Sequence, residues 1–210
     1  MKLEVKKKLL SILAFIGLIW AVYLINIPFS LTDWSLTQYG LKPHTLSGLI
    51  GIFTMPFLHD GIQHLLGNTV PLTVLLMMLA FTRQNPRRIV ICLTIISGAM
   101  LWVVGWGHKN HVGASALIYA LAVYLMAAGY YERKVTSAIV AVLVVILYGT
   151  LFWGMLPTAT GVSWEGHLMG AIAGGIFAAQ TVGRSRSKSD EVPSITSPSS
   201  PRDASSIGSV

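Results

Sequence analysis

Six apolar runs, most of them near 20 residues long, are separated by short polar loops. No other feature of the sequence limits the fold so strongly. A run of that length, coiled at ~1.5 Å per residue, matches the ~30 Å of hydrocarbon in a bilayer. The runs are Leu9 to about Ile27, about Gln63 to Phe81, about Ile89 to Trp106, Gly113 to Tyr131, Val135 to Leu156, and about Val162 to Val182. Only 11% of the residues are charged, where a soluble domain has roughly 25%. The expected fold is therefore all-α, a polytopic membrane protein of six transmembrane helices. A basic N-terminus (1–8) precedes the membrane domain (9–182). The Ser- and Pro-rich segment from Gly183 to the end is too polar to bury itself and reads as a disordered tail.

The first run follows Lys2, Lys6, Lys7 and Lys8, as in a signal peptide. It is long for one, and no small-x-small cleavage site follows before Pro28, so it reads as an uncleaved span. Between Pro28 and Asp60, the apolar stretch Leu49 to Leu58 is too short to cross and reads as an interfacial or partly inserted loop. The single cysteine, Cys92, excludes an intrachain disulfide and a multi-cysteine metal site.

The formal charge of +7 does not form a patch suited to nucleic acid. Of the fifteen Lys and Arg residues, all but Lys42 and Lys109 lie on one side of a six-span chain. That asymmetry sets both termini in the cytoplasm, in a cell (plasma or inner) membrane. Trp20, Trp102, Trp106, Trp153 and Trp164 then fall toward the outer ends of their runs, as interface anchors would.

With this topology the second, fourth and sixth runs all begin at the outer face. Their first two turns carry His64 and Asn68, then Ser115 and Tyr119, then His167. Polar groups at membrane depth are rare and usually face a bundle interior or a wet cavity. His64 and Asn68 are four apart and share a face, as do Ser115 and Tyr119. His167, Gly170 and Gly174 share a face of the sixth run, and glycines there permit close backbone approach. If that face meets the serine face, His167 can reach Ser115. A serine hydroxyl near a neutral imidazole is the arrangement of an activated nucleophile. The Ser115 N–H, the Asn68 amide and the His64 imidazole are candidate oxyanion donors, and a Tyr119 ring under His167 would steady it. Glu165 lies ~200° around the helix from His167, so the pattern is a Ser–His dyad without a carboxylate.

These residues resemble the rhomboid family of intramembrane serine proteases. The matching motifs are Phe57-Leu58-His59-x4-His64-x3-Asn68, Gly113-Ala114-Ser115 with Tyr119, and Gly166-His167-x2-Gly170-x3-Gly174. The resemblance covers about residues 8–182. It implies a rhomboid-like bundle that cleaves transmembrane or juxtamembrane segments of membrane proteins. It also implies Ser115 as nucleophile, His167 as base, and His64 and Asn68 at the oxyanion, with His59, Gly113, Tyr119, Gly170 and Gly174 supporting. It implies no metal and no cofactor, with the lipid bilayer and transmembrane substrates as partners. The residue after the serine is Ala116, where the family often has glycine, and the first outer loop lacks the Trp-Arg pair of many members. Two other readings of the residues stand beside this one. One is a catalytically inactive relative that binds transmembrane helices. The other is a histidine-ligated membrane protein, either a b-type haem carrier using His64 and His167 or a metal transporter using His59, His64 and His167. The oligomeric state is left open.

Overall fold

The computed structural model describes residues 2–30, 32, 34–106, 109–157 and 163–183. Of the expected tail, only Gly183 falls among them. Among the described residues there are six long helices: α1 (Lys2–Phe29), α2 (Ile62–Thr82), α3 (Pro86–Val104), α4 (Ser115–Glu132), α5 (Val135–Tyr148) and α6 (Trp164–Ala178). Among the described residues there is no strand, only one antiparallel bridge between Leu41 and His111. Among the described residues, four segments are long and apolar enough to cross a membrane: Leu3–Phe29, Ile62–Thr82, Pro86–Val104 and Val135–Met155. Of the six spans expected from the sequence, four are matched by helices that qualify on length and apolarity.

Several boundaries differ from the sequence reading, each for a physical reason. The first helix begins within the lysine run and ends at Phe29, carrying Pro28 in its last turn. Trp20 therefore lies about two and a half turns, or ~14 Å, before that end. It is a packing residue, and its indole N–H donates to Thr69 Oγ1 of α2 at 3.2 Å. The fourth helix begins at Ser115, not at Gly113, because Gly113 has φ +103° and cannot be helical. The fifth run stays α-helical only to Tyr148 and continues as a 3-10 helix over Gly149–Met155. The stretch after α1 folds into short turns: 3-10 at Leu36–Tyr39, Ser47–Ile50 and Met55–Phe57, with one α turn at Gly51–Thr54.

At the centre is α4. Ala116, Leu117, Ile118, Tyr119, Ala120, Leu121, Ala122, Tyr124, Leu125 and Ala128 are all buried, so it is covered on every side. The outer helices show one face each. On α1 the buried positions Ile12, Ile19 and Asn26 recur every seven residues and form a single line of contact. On α2 they are Leu65, Asn68, Leu72, Leu75, Leu76, Leu79 and Ala80. Only Ser137 and Val144 are buried on α5, and Ile139, Val142, Val145, Ile146 and Leu147 are exposed. Such an apolar outer surface suits lipid and would be costly in water.

The tightest packing joins α4 and α6. A Cβ built on Gly170 would overlap the carbonyl oxygen of Ala116, and one on Gly174 would overlap that of Ala120. The two backbones touch because these positions carry no side chain. At the opposite end of the bundle, Arg83 of the α2 cap pairs with Glu132 at 2.5 Å, and Glu132 also accepts from Ser137 of α5.

Since the obstacle at Gly174 is backbone, the neighbour cannot swing away. Gly174→Leu is expected to separate α6 from α4 and cost at least the ~1–3 kcal/mol of overpacking. The measurement is unfolding by denaturing detergent. The adjacent Gly175 provides the control. A Cβ there would meet only Val123 Cγ1, at 3.7 Å, so Gly175→Ala is expected to fold normally.

Candidate functional site

The N-terminal ends of α2, α4 and α6 and the loops before them enclose an open cavity of about 680 Å³. Ser115, Tyr119, His64, Asn68 and His167 all line it. Gly170 and Gly174 lie beneath, in the α4–α6 contact. His59 is buried behind the wall formed by Asn68. Gly113 closes the turn into α4. The structure therefore brings together the residues singled out in the sequence.

Ser115 and His167 line the same cavity from two helices whose backbones touch. Gly170, one turn after His167, packs against Ala116, the residue after Ser115. The His167 ring stacks on Tyr119, with centroids 4.2 Å apart and planes 8° from parallel. Its Nδ1 lies 2.8 Å from the carbonyl oxygen of Gly154. A carbonyl only accepts, so Nδ1 carries the hydrogen and Nε2 is left as the basic nitrogen of the neutral ring.

Gly154 had no signal of its own in the sequence, because the group it offers is a backbone carbonyl. Its availability does have a sequence cause. In a 3-10 helix this carbonyl would accept from the N–H three residues on, and that residue is Pro157, which has none. The orphan carbonyl turns to His167 instead. A Cβ on Gly154 would overlap the Tyr119 hydroxyl, so glycine is required for the close approach.

On the opposite wall, Asn68 Nδ2 lies 3.1 Å from His59 Nε2. One amide hydrogen is used there, and the second remains for the cavity. His64 Nδ1 lies 2.6 Å from Asp60 Oδ1. The His59 and His64 rings meet edge-on, with centroids 5.0 Å apart. Gly113 permits this wall to approach α4: a Cβ there would overlap His64 Nε2 and come within 3.3 Å of Asn68 Nδ2. Its backbone N–H donates to the Met55 carbonyl at 2.9 Å.

His111 reads in the sequence as a loop residue, but it is buried and structural. It forms both hydrogen bonds of the bridge to Leu41, at 2.9 and 2.8 Å, and its Nδ1 lies 2.6 Å from Ser163 Oγ. Burial pushes its imidazole below the ordinary histidine range. Glu165 turns away from His167 and pairs with Lys109 at 3.1 Å. Gly107 and His108 lie outside the described residues. The sequence reading missed Asp60, although its four-residue spacing to His64 is legible in the motif. Among the described residues, no three His, Cys, Asp or Glu side chains are grouped to hold a metal ion.

A family model described as a Rhomboid domain matches residues 47–184. An uncharacterized protein of Mycobacterium bovis is 35% identical over 178 residues, covering 80% of this chain and 72% of its own length. An uncharacterized protein of Mycobacterium tuberculosis gives the same figures. One of Mycobacterium leprae is 34% identical over 177 residues, covering 80% and 69%. No solved structure matches.

The buried His59 makes the wall of the cavity sensitive to acid. Burial first, then the neighbouring His64 ring, pull its imidazole from 6.5 down to about 4. The unfolded chain takes up this proton near pH 6.5, while the folded chain resists until about pH 4. His59 thus contributes its full stability above pH 6.5 and loses it as the pH falls to about 4, by about 3 kcal/mol in all. The melting temperature in detergent is expected to drop across that interval. His59→Gln, which takes up no proton there, is expected to make the drop smaller, with the buried His111 contributing the remainder.

Proposed function

The chain belongs to the rhomboid family, a family of intramembrane proteases, and on that premise we propose that it is a serine endopeptidase working by a Ser115–His167 dyad. It is a multi-pass membrane protein. The observation that carries the proposal is the His167 ring. It is stacked on Tyr119, tied at Nδ1 to Gly154, and lines one cavity with Ser115.

In this reading His167 Nε2 takes the proton of the Ser115 hydroxyl as Oγ attacks the scissile carbonyl. The C–O bond forms and the carbonyl electron pair moves onto oxygen. The resulting oxyanion receives hydrogen bonds from the Ser115 backbone N–H, the free Asn68 amide hydrogen and the His64 imidazole. Protonated His167 returns the proton to the leaving amine, and the peptide bond breaks. Water from the cavity then attacks the acyl-enzyme with His167 again as base, the bond between Ser115 Oγ and the acyl carbon breaks, and His167 returns the proton to Oγ. The open, partly polar cavity at one end of the helices suits this step, because hydrolysis requires water at membrane depth.

The substrates are transmembrane or juxtamembrane segments of other membrane proteins, and the enzyme requires no cofactor. All six helices cross the bilayer, with both termini cytoplasmic and the cavity on the outer side. The distribution of Lys and Arg supports this orientation. The two helices below the criteria for a span, α4 and α6, are those most enclosed by protein. They have less need to match the lipid than the outer helices do.

Ser115→Ala is expected to abolish cleavage of a single-span reporter and labelling by a fluorophosphonate, with helicity and melting unchanged. Retained cleavage in that variant would sink the dyad. A wild-type chain that neither cleaves nor labels would instead favour an inactive binder of transmembrane helices.

A further inference from the structure

We propose that Asp60 is a positioning residue for the oxyanion site and that it acts through His64. The inference rests on the dyad reading and names a part of the machinery that the family motif leaves out. Asp60 precedes α2, and its carboxylate oxygen lies 2.6 Å from His64 Nδ1, so it accepts the Nδ1–H. Both residues line the same cavity as Ser115.

The usual alternative for an acidic residue just before a helix is a cap. Here the N-cap is Gly61, and no side chain caps the helix. The Asp60 carboxylate is directed at the imidazole. As a surface ion pair it would add little stability, since the Asp60 side chain is 67% exposed. Its effect is geometric and electrostatic. With Nδ1 held by Asp60, the opposite edge of the ring faces Gly113, where a Cβ would lie 2.6 Å from His64 Cε1 and closer still to Nε2. Gly113 sits two residues before Ser115, in the turn that aims the Ser115 N–H. The carboxylate therefore directs Nε2 toward the region where the oxyanion would form.

It also resolves a question of protons. A neutral ring with hydrogen on Nδ1 has only a lone pair on Nε2, which would repel an oxyanion. A donating Nε2 needs a ring protonated on both nitrogens, and the Asp60 carboxylate supplies its counter-charge. The hydrogen bond to the oxyanion is then charge-assisted, of the stronger class.

The test uses the full chain in detergent, with reporter cleavage and fluorophosphonate labelling of Ser115 followed to about a thousandth of the wild-type rate, a range set by the ~10²–10³-fold cost of losing an oxyanion donor. Asp60→Ala is expected to lower kcat about 10-fold, less than outright loss of a donor, with KM and melting temperature unchanged. Asp60→Glu, which keeps the carboxylate, is expected to recover part of the loss. In a His64→Ala background, Asp60→Ala is expected to have no further effect on labelling, since the two act as a unit. Wild-type kcat in Asp60→Ala overturns the proposal. So does a loss confined to KM, or an equal loss without His64. Failure of the dyad is seen separately, as a wild-type chain that does not label.

Discussion

The contact of bare backbone between α4 and α6 is what the rest of the structure depends on. Lipid tails are as apolar as leucine, so hydrophobicity does little to press two membrane helices together, and close packing has to do it. Gly170 and Gly174 lie against the carbonyls of Ala116 and Ala120. Any side chain at either glycine would push the helices apart. Ser115 adjoins Ala116, and His167 is one turn from Gly170. The contact that holds the fold therefore lies beside both residues and ties together the two helices that carry them. Ala116 does not hinder this, because the contact uses its carbonyl and leaves the methyl group elsewhere.

Around this contact the polar groups of the cavity are engaged in pairs: Asn68 with His59, His64 with Asp60, Lys109 with Glu165, His111 with Ser163. A polar group withdrawn from water without a partner costs roughly 1–3 kcal/mol. The pairs reduce that cost, although His59 Nδ1 and His111 Nε2 stay buried without a partner. They also join segments remote in sequence. Lys109 and His111, in the loop between α3 and α4, reach Glu165 and Ser163 at the start of α6. The loop is thereby fastened to the helix that bears His167.

Much of this was legible in the sequence, because membrane depth is a one-dimensional coordinate. Run lengths and loop charges place His64, Ser115 and His167 near one end of their helices, and the spacing of His167, Gly170 and Gly174 marks the close-packed face. The ends of α2 differ from expectation by one residue each. What escaped has specific causes. The break in the fifth helix at Tyr148 has no proline or charge to announce it. Gly154 acts through its carbonyl, and no residue type encodes a carbonyl. The burial of His111 depends on Leu41 and Ser163, which only the folded chain brings near. Asp60 was visible at four residues from His64, but as a residue outside the apolar run it read as loop.

The 3-10 segment after α5 links a largely exposed helix to the stacked His167 ring. A 3-10 helix rises ~2.0 Å per residue against ~1.5 Å for an α-helix. Seven residues from Gly149 to Met155 therefore extend about one-third further than they would as α-helix. That extension carries Gly154 to His167, while Phe152 and Trp153 on the same segment remain largely exposed. The segment has little side-chain packing to hold it, apart from Leu151 against the core. What fixes its end is the hydrogen bond to the imidazole and the fit of Gly154 against Tyr119. The dependence runs both ways. A carboxylate on a packed helix would orient a histidine regardless of its neighbours, whereas this carbonyl can do so only while the loosely packed end of the fifth helix stays in place.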